Sequence, residues 1–265
     1  MSFVVATWNI NSVRLRKEQV AAFLEAWRPD VLCLQEIRCA SDCFPAATFR
    51  AVGYDHMAVA GQKAHHGVAI LSRHPIEEEA RRHFCGQYDA RHVMARIKGL
   101  RIHSLYVPAG GDVPDPAENP KFAHKLAFLD EMRGWLAAEA ARNEPVIVAG
   151  DFNVAPLPED VWDHRKLLRV VTHTPAETGR LLEMERHSGM TDVVRALRPP
   201  PEKLFTWWSY RGGENWRLHD RGRRLDHVWA SPTLARTARE VAIAAETRGW
   251  PRPSDHVPVL VRFEA

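Results

Sequence analysis

The segment "VIVAGDFN", residues 146–153, runs four apolar residues into a glycine and then places Asp151, Phe152 and Asn153 in succession. A short β-branched run bounded by glycine reads as a buried strand. Gly150 would let the backbone turn sharply beneath whatever follows. An aspartate after a strand ordinarily caps a turn, so the stretch alone leaves two readings open, a turn cap or a chemical site.

The same pattern recurs along the chain. Apolar runs at 3–10, 31–36, 67–72, 92–97, 102–107, 146–151, 205–210, 225–230 and 257–263 read as strands. Several of them end in residues that resist burial. These are Asn9 and Asn11, Gln35 and Glu36, Tyr106, Asp151 and Asn153, Asp226 and His227, with Asp255 and His256 just before the last strand. Each has a bland reading alone, as a cap, a surface acid or a core histidine. Six such ends together would bury several carboxylates without a partner, which points to one shared site and to a divalent cation as that partner. Carboxylate and amide oxygens suit magnesium, with manganese as the alternative. The pair His65-His66 lacks the i, i+4 spacing of a helical zinc site.

Helical periodicity lies between the strands. At 121–142, Phe122, Leu126, Leu129, Met132 and Leu136 fall on one face, with "NP" before and "NEP" after. Further helices are expected at 16–27, stopped before Pro29, and at about 178–187. Strands outnumber helices without strict alternation, which favours stacked sheets with helices outside over one doubly wound sheet. The Pro- and Gly-rich piece 107–120 has strands on both sides and reads as a surface loop, so residues 1–265 are expected to form a single domain.

At 265 residues, 45% hydrophobic and 26% charged, the composition is that of an ordinary soluble globular chain. Lys and Arg number 36 against 33 Asp and Glu, a net charge of +3, so any nucleic-acid footprint must be local. The four cysteines form no second paired cluster, which points to a reduced, cytoplasmic setting. The opening apolar run is too short for a signal peptide, and no stretch is long enough to span a membrane.

At these residues the sequence resembles the exonuclease III group of the endonuclease/exonuclease/phosphatase superfamily. The matching pieces are "TWNINSVRLR" (7–16), "PDVLCLQEIR" (29–38), "GQKAHHGVAILSR" (61–73), "LYVPAG" (105–110), "VAGDFNVAP" (148–156), "FTWWSYR" (205–211), "RRLDHVWAS" (223–231) and "PSDHVPV" (253–259). They occur in order over nearly the whole chain. The resemblance implies a four-layer α/β sandwich, two mixed β-sheets face to face with helices outside, with the site at one end. It implies a monomer that hydrolyses phosphodiesters of double-stranded DNA with magnesium, incising abasic sites, clearing blocked 3′ ends and degrading from 3′ to 5′.

By the same resemblance, Glu36 is the principal metal carboxylate, with Asn9 beside it and Asp255, Asp151 and Asn153 within reach of the metal. Asp151 orients or deprotonates the attacking water, Asn153 holds a phosphate oxygen, His256 paired with Asp226 donates to the same phosphate, and Tyr106 sits against the phosphate or leaving oxygen. Trp207, Arg221, Arg223, Arg224 and His173 are implied on the DNA side. Of Trp207 and Trp208, at least one is expected to fill the core. Three positions depart from the family pattern. Ala109 stands where an Asn or Gln usually touches the phosphate, Arg223 where a residue of the abasic-sugar pocket is usually large and apolar, and His173 in the segment bordering that pocket. Together they imply weakened abasic incision with 3′-end trimming retained.

Overall fold

The computed structural model of the chain describes residues 2–142 and 144–264. Twelve strands occur among these residues: β1 Ser2–Asn9, β2 Val31–Gln35, β3 His56–Ala60, β4 Val68–Ser72, β5 Glu78–Ala80, β6 His92–Ile97, β7 Leu100–Tyr106, β8 Val146–Asp151, β9 Thr191–Asp192, β10 Asp226–Ala230, β11 Ala238–Ile243 and β12 Val259–Glu264. They form two six-stranded sheets, ordered β11-β12-β1-β2-β4-β3 and β5-β6-β7-β8-β10-β9. β1 pairs with β2, and β7 with β8, in parallel; the other pairs are antiparallel.

The layering follows from the two-residue period of a strand. In β8, Ile147 and Ala149 enter the cluster between the sheets, while Val146 and Val148 pack outward with Leu129, Met132 and Leu136 of the helix Pro120–Ala140 and Leu181 of the helix Pro175–Ser188. In β1, Val5 faces inward, and Ala6 and Trp8 pack outward with Val20, Phe23 and Leu24 of the helix Val13–Trp27. Helix, sheet, sheet and helices give the expected four layers.

The three long helices begin one to three residues before the sequence expectation, and in the second and third a side-chain cap lies further out than the apolar stripe. Asn119 accepts the Lys121 N–H with Pro120 in the first turn. Thr174 and Glu177 close a capping box ahead of the last of them. The expected closing signal "NEP" starts at Asn143, outside the described residues.

Two expectations are corrected. Residues 205–210 form no strand; Trp207 makes single bridges to Arg223 and His256. The Thr206 hydroxyl takes the Leu225 and Asp226 N–H groups, replacing a ladder with side-chain bonds. Gly150 is required for a different reason than a turn. It lies within β8, and a Cβ there would stand 1.9 Å from the Leu105 carbonyl oxygen on β7. Close approach of two parallel strands selects glycine here.

Candidate active site

The parallel and antiparallel registers set Tyr106 opposite Asp151 and Asp151 opposite Asp226, so three adjacent strands end in a row of polar side chains. Asp226 Oδ2 accepts from the Thr206 hydroxyl at 2.6 Å and holds His256 Nδ1 at 2.8 Å. The other ring nitrogen, Nε2, lies 3.7 Å from Asp151 Oδ2. Asp151 receives the backbone N–H of Asn153 at 2.9 Å and its side-chain amide at 3.1 Å. Asn153 has a left-handed φ of 52°, a conformation asparagine tolerates better than most residues.

The sheet that contains β1 and β2 supplies Asn9 and Glu36. Asn9 Nδ2 donates at 2.9 Å to both Glu36 Oε1 and Asp151 Oδ2, bridging the two sheets, and its Oδ1 takes the Asn11 N–H. Glu36, just past β2 with φ 49°, also accepts from the Tyr106 hydroxyl at 2.9 Å and from the exposed Arg38. Asp255 accepts from Trp207 Nε1 at 2.9 Å and Asn11 Nδ2 at 3.1 Å. Asn9 is therefore placed as a donor between two carboxylates.

Burial pushes the Asp151 carboxyl up, to about 7, against the nearby His256. Burial alone would lower His256, but Asp226 and Asp151 outweigh it and hold the imidazole up, at about 10. The imidazole is therefore charged at neutral pH. The Tyr106 hydroxyl is raised well above its ordinary value by burial and by Glu36, so it stays a donor.

Asp151, Asp226 and His256 bring ligand-type atoms within 4.8 Å of one another. His256 Nδ1 is committed to Asp226, however, and this triplet is arranged to move and hold protons. Glu36 and Asp255 both line the cavity with carboxylate oxygens, the donor type that fits a hard cation such as magnesium.

Glu36, Tyr106, Asp151, Asn153, Asp255 and His256 line one cavity of about 920 Å³ with Trp162, Val171, Thr172, Trp207, Arg221 and Arg223. Arg221 lies over Trp162 and Arg223 over Trp207, each 5.1 Å from the ring centroid. Trp208 is buried against Trp216 and Val257, as expected of one of the pair.

Two residues expected on the DNA side are not there. Arg224 has no exposure; its guanidinium pairs with Asp160 at 2.6 and 3.0 Å and with Asp192 at 2.7 Å. Adjacent residues on extended backbone face opposite ways, so Arg223 lines the cavity while Arg224 is locked behind it. His173 is also buried, its Nδ1 on the Ala155 carbonyl at 2.6 Å and its Nε2 on His164 at 2.8 Å, and does not line the cavity.

Thr206, Ser254, Lys125 and Glu177 escaped the sequence reading. Ser254 accepts the His256 N–H and donates to the Asn9 carbonyl, tying the last strand's entry to β1. Lys125 Nζ donates to the Asn153 carbonyl at 2.7 Å. The one sequence signal was Lys125 itself, a cation between Phe122 and Leu126 on the apolar stripe.

The Endonuclease/Exonuclease/phosphatase family matches residues 6–256. An exodeoxyribonuclease III of Haemophilus influenzae is 31% identical over 278 residues, spanning 100% of both chains. Among solved structures, a 3′ phosphatase from Neisseria bound to product DNA hairpin aligns with TM-score 0.90 and 31% identity over 99% of this chain and 100% of that one. An AP endonuclease from Archaeoglobus fulgidus gives TM-score 0.90 and 29% identity over the same shares. With the polar strand ends gathered as that architecture requires, the chain belongs to the endonuclease/exonuclease/phosphatase family and is an enzyme of the exonuclease III type within it.

Proposed function

We propose that this chain is a DNA-repair nuclease that hydrolyses DNA phosphodiesters at abasic sites and blocked 3′ ends. The observation that carries the reading is the row Asp226–His256–Asp151, beside Glu36 and Asn153, in a cavity flanked by two arginine–tryptophan stacks. The exonuclease and AP endonuclease activities named for its relatives support it.

A divalent cation held by Glu36, with Asp255 nearby, would neutralise charge on the phosphate oxygens, and magnesium suits that donor set. The chain's own groups do the rest. Asp151, raised toward neutrality by burial, takes a proton from the attacking water. Charged His256, its tautomer and orientation fixed by Asp226, donates through Nε2 to a phosphate oxygen as charge develops there. The Asn153 amide orients Asp151, and Tyr106 OH, kept protonated, donates at the same edge. The tryptophan faces accept exposed sugar or base rings, and Arg221 reaches the backbone phosphates.

The test is purified protein with magnesium on an internal abasic duplex, a nicked duplex with a 3′-phosphate and a recessed 3′ end. Cleavage of at least one, abolished by Asp151→Asn, is expected. Phosphate release from lipid headgroups with no action on any of the three DNAs would overturn the reading.

A further inference from the structure

Arg16 is a buried cation near the start of the helix Val13–Trp27, where the backbone leaves helical geometry at φ −120° and ψ 20°. A guanidinium offers five N–H groups in a planar fork, and here four backbone carbonyls and one hydroxyl take them. Nε donates to Arg252 at 2.9 Å, Nη1 to Ile10 at 3.3 Å and to Asn11, and Nη2 to Pro253 at 3.0 Å and to the Tyr210 hydroxyl at 3.1 Å. A fork spent wholly on neutral oxygens fixes the geometry of its neighbours and leaves no donor for an anion.

These bonds tie together three segments at the cavity: the turn after β1, the residues just before His256, and the start of a separate loop. Tyr210 opens that loop, and Arg211, Asn215 and Arg221 beyond it line the cavity. The Tyr210 hydroxyl also accepts from Asn11 Nδ2 at 3.2 Å and donates to the Pro253 carbonyl at 2.9 Å, while the Arg248 guanidinium lies 5.2 Å from the ring centroid. Asn11 Nδ2 donates in turn to Asp255 Oδ1 at 3.1 Å. Asn11 and Ser12 have left-handed φ values of 46° and 85°, which persist only where the surroundings enforce them. Arg16 takes the Asn11 carbonyl, and the Ser12 N–H is held by the Glu36 carbonyl at 2.8 Å.

We propose that Arg16 and Tyr210 are positioning residues that couple the arginine-bearing loop after Tyr210 to the Asp255 carboxylate, so that DNA on the loop and a divalent cation beside Asp255 strengthen each other's binding. The inference rests on the nuclease reading and adds to it a linkage between the two ligands. DNA that orders the loop holds the Tyr210 hydroxyl on its partners, and through Asn11 it holds Asp255 in the orientation that the cation meets. A cation that fixes Asp255 returns the same effect to the loop, because one coupling free energy serves both directions. Neither Arg16 nor Tyr210 has to touch the reacting phosphate for this to operate.

The experiment measures affinity for a labelled duplex with a recessed 3′ end by fluorescence anisotropy, in chelator and in saturating magnesium. Asp151→Asn is the parent throughout, which keeps the DNA whole. In the parent, magnesium should tighten DNA binding by about tenfold, and calorimetric titration of magnesium with and without DNA should return the same factor. Tyr210→Phe keeps the ring beside Arg248 and removes only the hydroxyl. It should cut the magnesium effect to about threefold or less while leaving affinity in chelator within about twofold of the parent. Arg16→Lys keeps the charge without the fork and should lose at least as much of the magnesium effect; should it not fold, Tyr210→Phe decides alone. A parent whose DNA affinity ignores magnesium, an unchanged magnesium effect in Tyr210→Phe, or a loss of DNA affinity equal in both conditions overturns the inference and leaves the nuclease reading standing. No binding of DNA by the folded parent in either condition overturns both.

Discussion

Lys125 and Glu177 form an ion pair in which neither side chain has any exposure, and the pair joins three loops of the cavity. Lys125 reaches the carbonyls of Asn153 and, at 3.3 Å, Ala109; Glu177 takes the N–H groups of Thr172 and Thr174 and the Thr174 hydroxyl. Lys125→Met leaves Glu177 buried and unpaired, and should cost about 3–5 kcal/mol. Lys125→Met with Glu177→Gln should cost less than the sum of the single changes. Urea unfolding of the four proteins checks both statements, and simple additivity would contradict the pairing.

Asp226→Asn removes the carboxylate that orients His256 and favours its charged form. The expected result is a fall in kcat of about 10²-fold or more, with DNA affinity little altered. Steady-state kinetics beside a DNA-binding titration separate the two effects.

Glu36→Gln should leave the fold intact and raise the magnesium concentration needed for half-maximal activity at least tenfold. Calorimetric titration of magnesium into the DNA-free protein should show the same weakening, and unchanged binding would move the metal away from Glu36.

Gly150→Ala introduces a Cβ 1.9 Å from the Leu105 carbonyl, and neither backbone can yield without breaking the β7–β8 register. A loss of about 3 kcal/mol or more is expected, at the severe end for a single change. Thermal unfolding measures it.

Under the outer face of the second sheet, His92 and His103 share a hydrogen bond of 2.9 Å against Trp135. His92 Nδ1 accepts the Arg82 N–H, so its proton is on Nε2 and points to His103. Burial and nearby Arg82 and Arg101 lower His92 to about 3, and burial and His92 lower His103 well below its ordinary value. With the folded values depressed, the unfolded chain takes up these protons first. The contribution is complete above about pH 6.5 and is lost as pH falls toward 3. His92 alone implies a loss of about 1 kcal/mol by pH 5.5. A His92→Gln, His103→Gln double variant should show a flatter fall in stability between pH 7 and 5.5 than wild type in urea melts.

Much of this was legible in the sequence because the central strands are uniformly apolar and end abruptly. Residues 92–97 and 146–151 match β6 and β8 at both ends. Edge strands were not legible. β11, "AREVAI", exposes Arg239 and Glu240, and β3, "HMAVA", carries little β-branching; each pairs on one side only. Among site residues, those ending strands were found because polarity there breaks a pattern. Arg224 was misread because charge in a sequence does not say which face a side chain occupies, and three nearby arginines looked alike. Thr206 and Ser254 were missed because a hydroxyl that takes backbone N–H groups leaves no periodic trace.

The Asn9 amide, held between Glu36 on one sheet and Asp151 on the other, works as a gauge across a seam. Its bond to Asp151 closes only while the two sheets keep their spacing. The small apolar residues packed between them, far from any phosphate, thereby set the alignment of the reacting groups. Enlarging Ala149 or Val261 should spoil turnover at temperatures where the chain is still folded, with the seam giving way before the layers do.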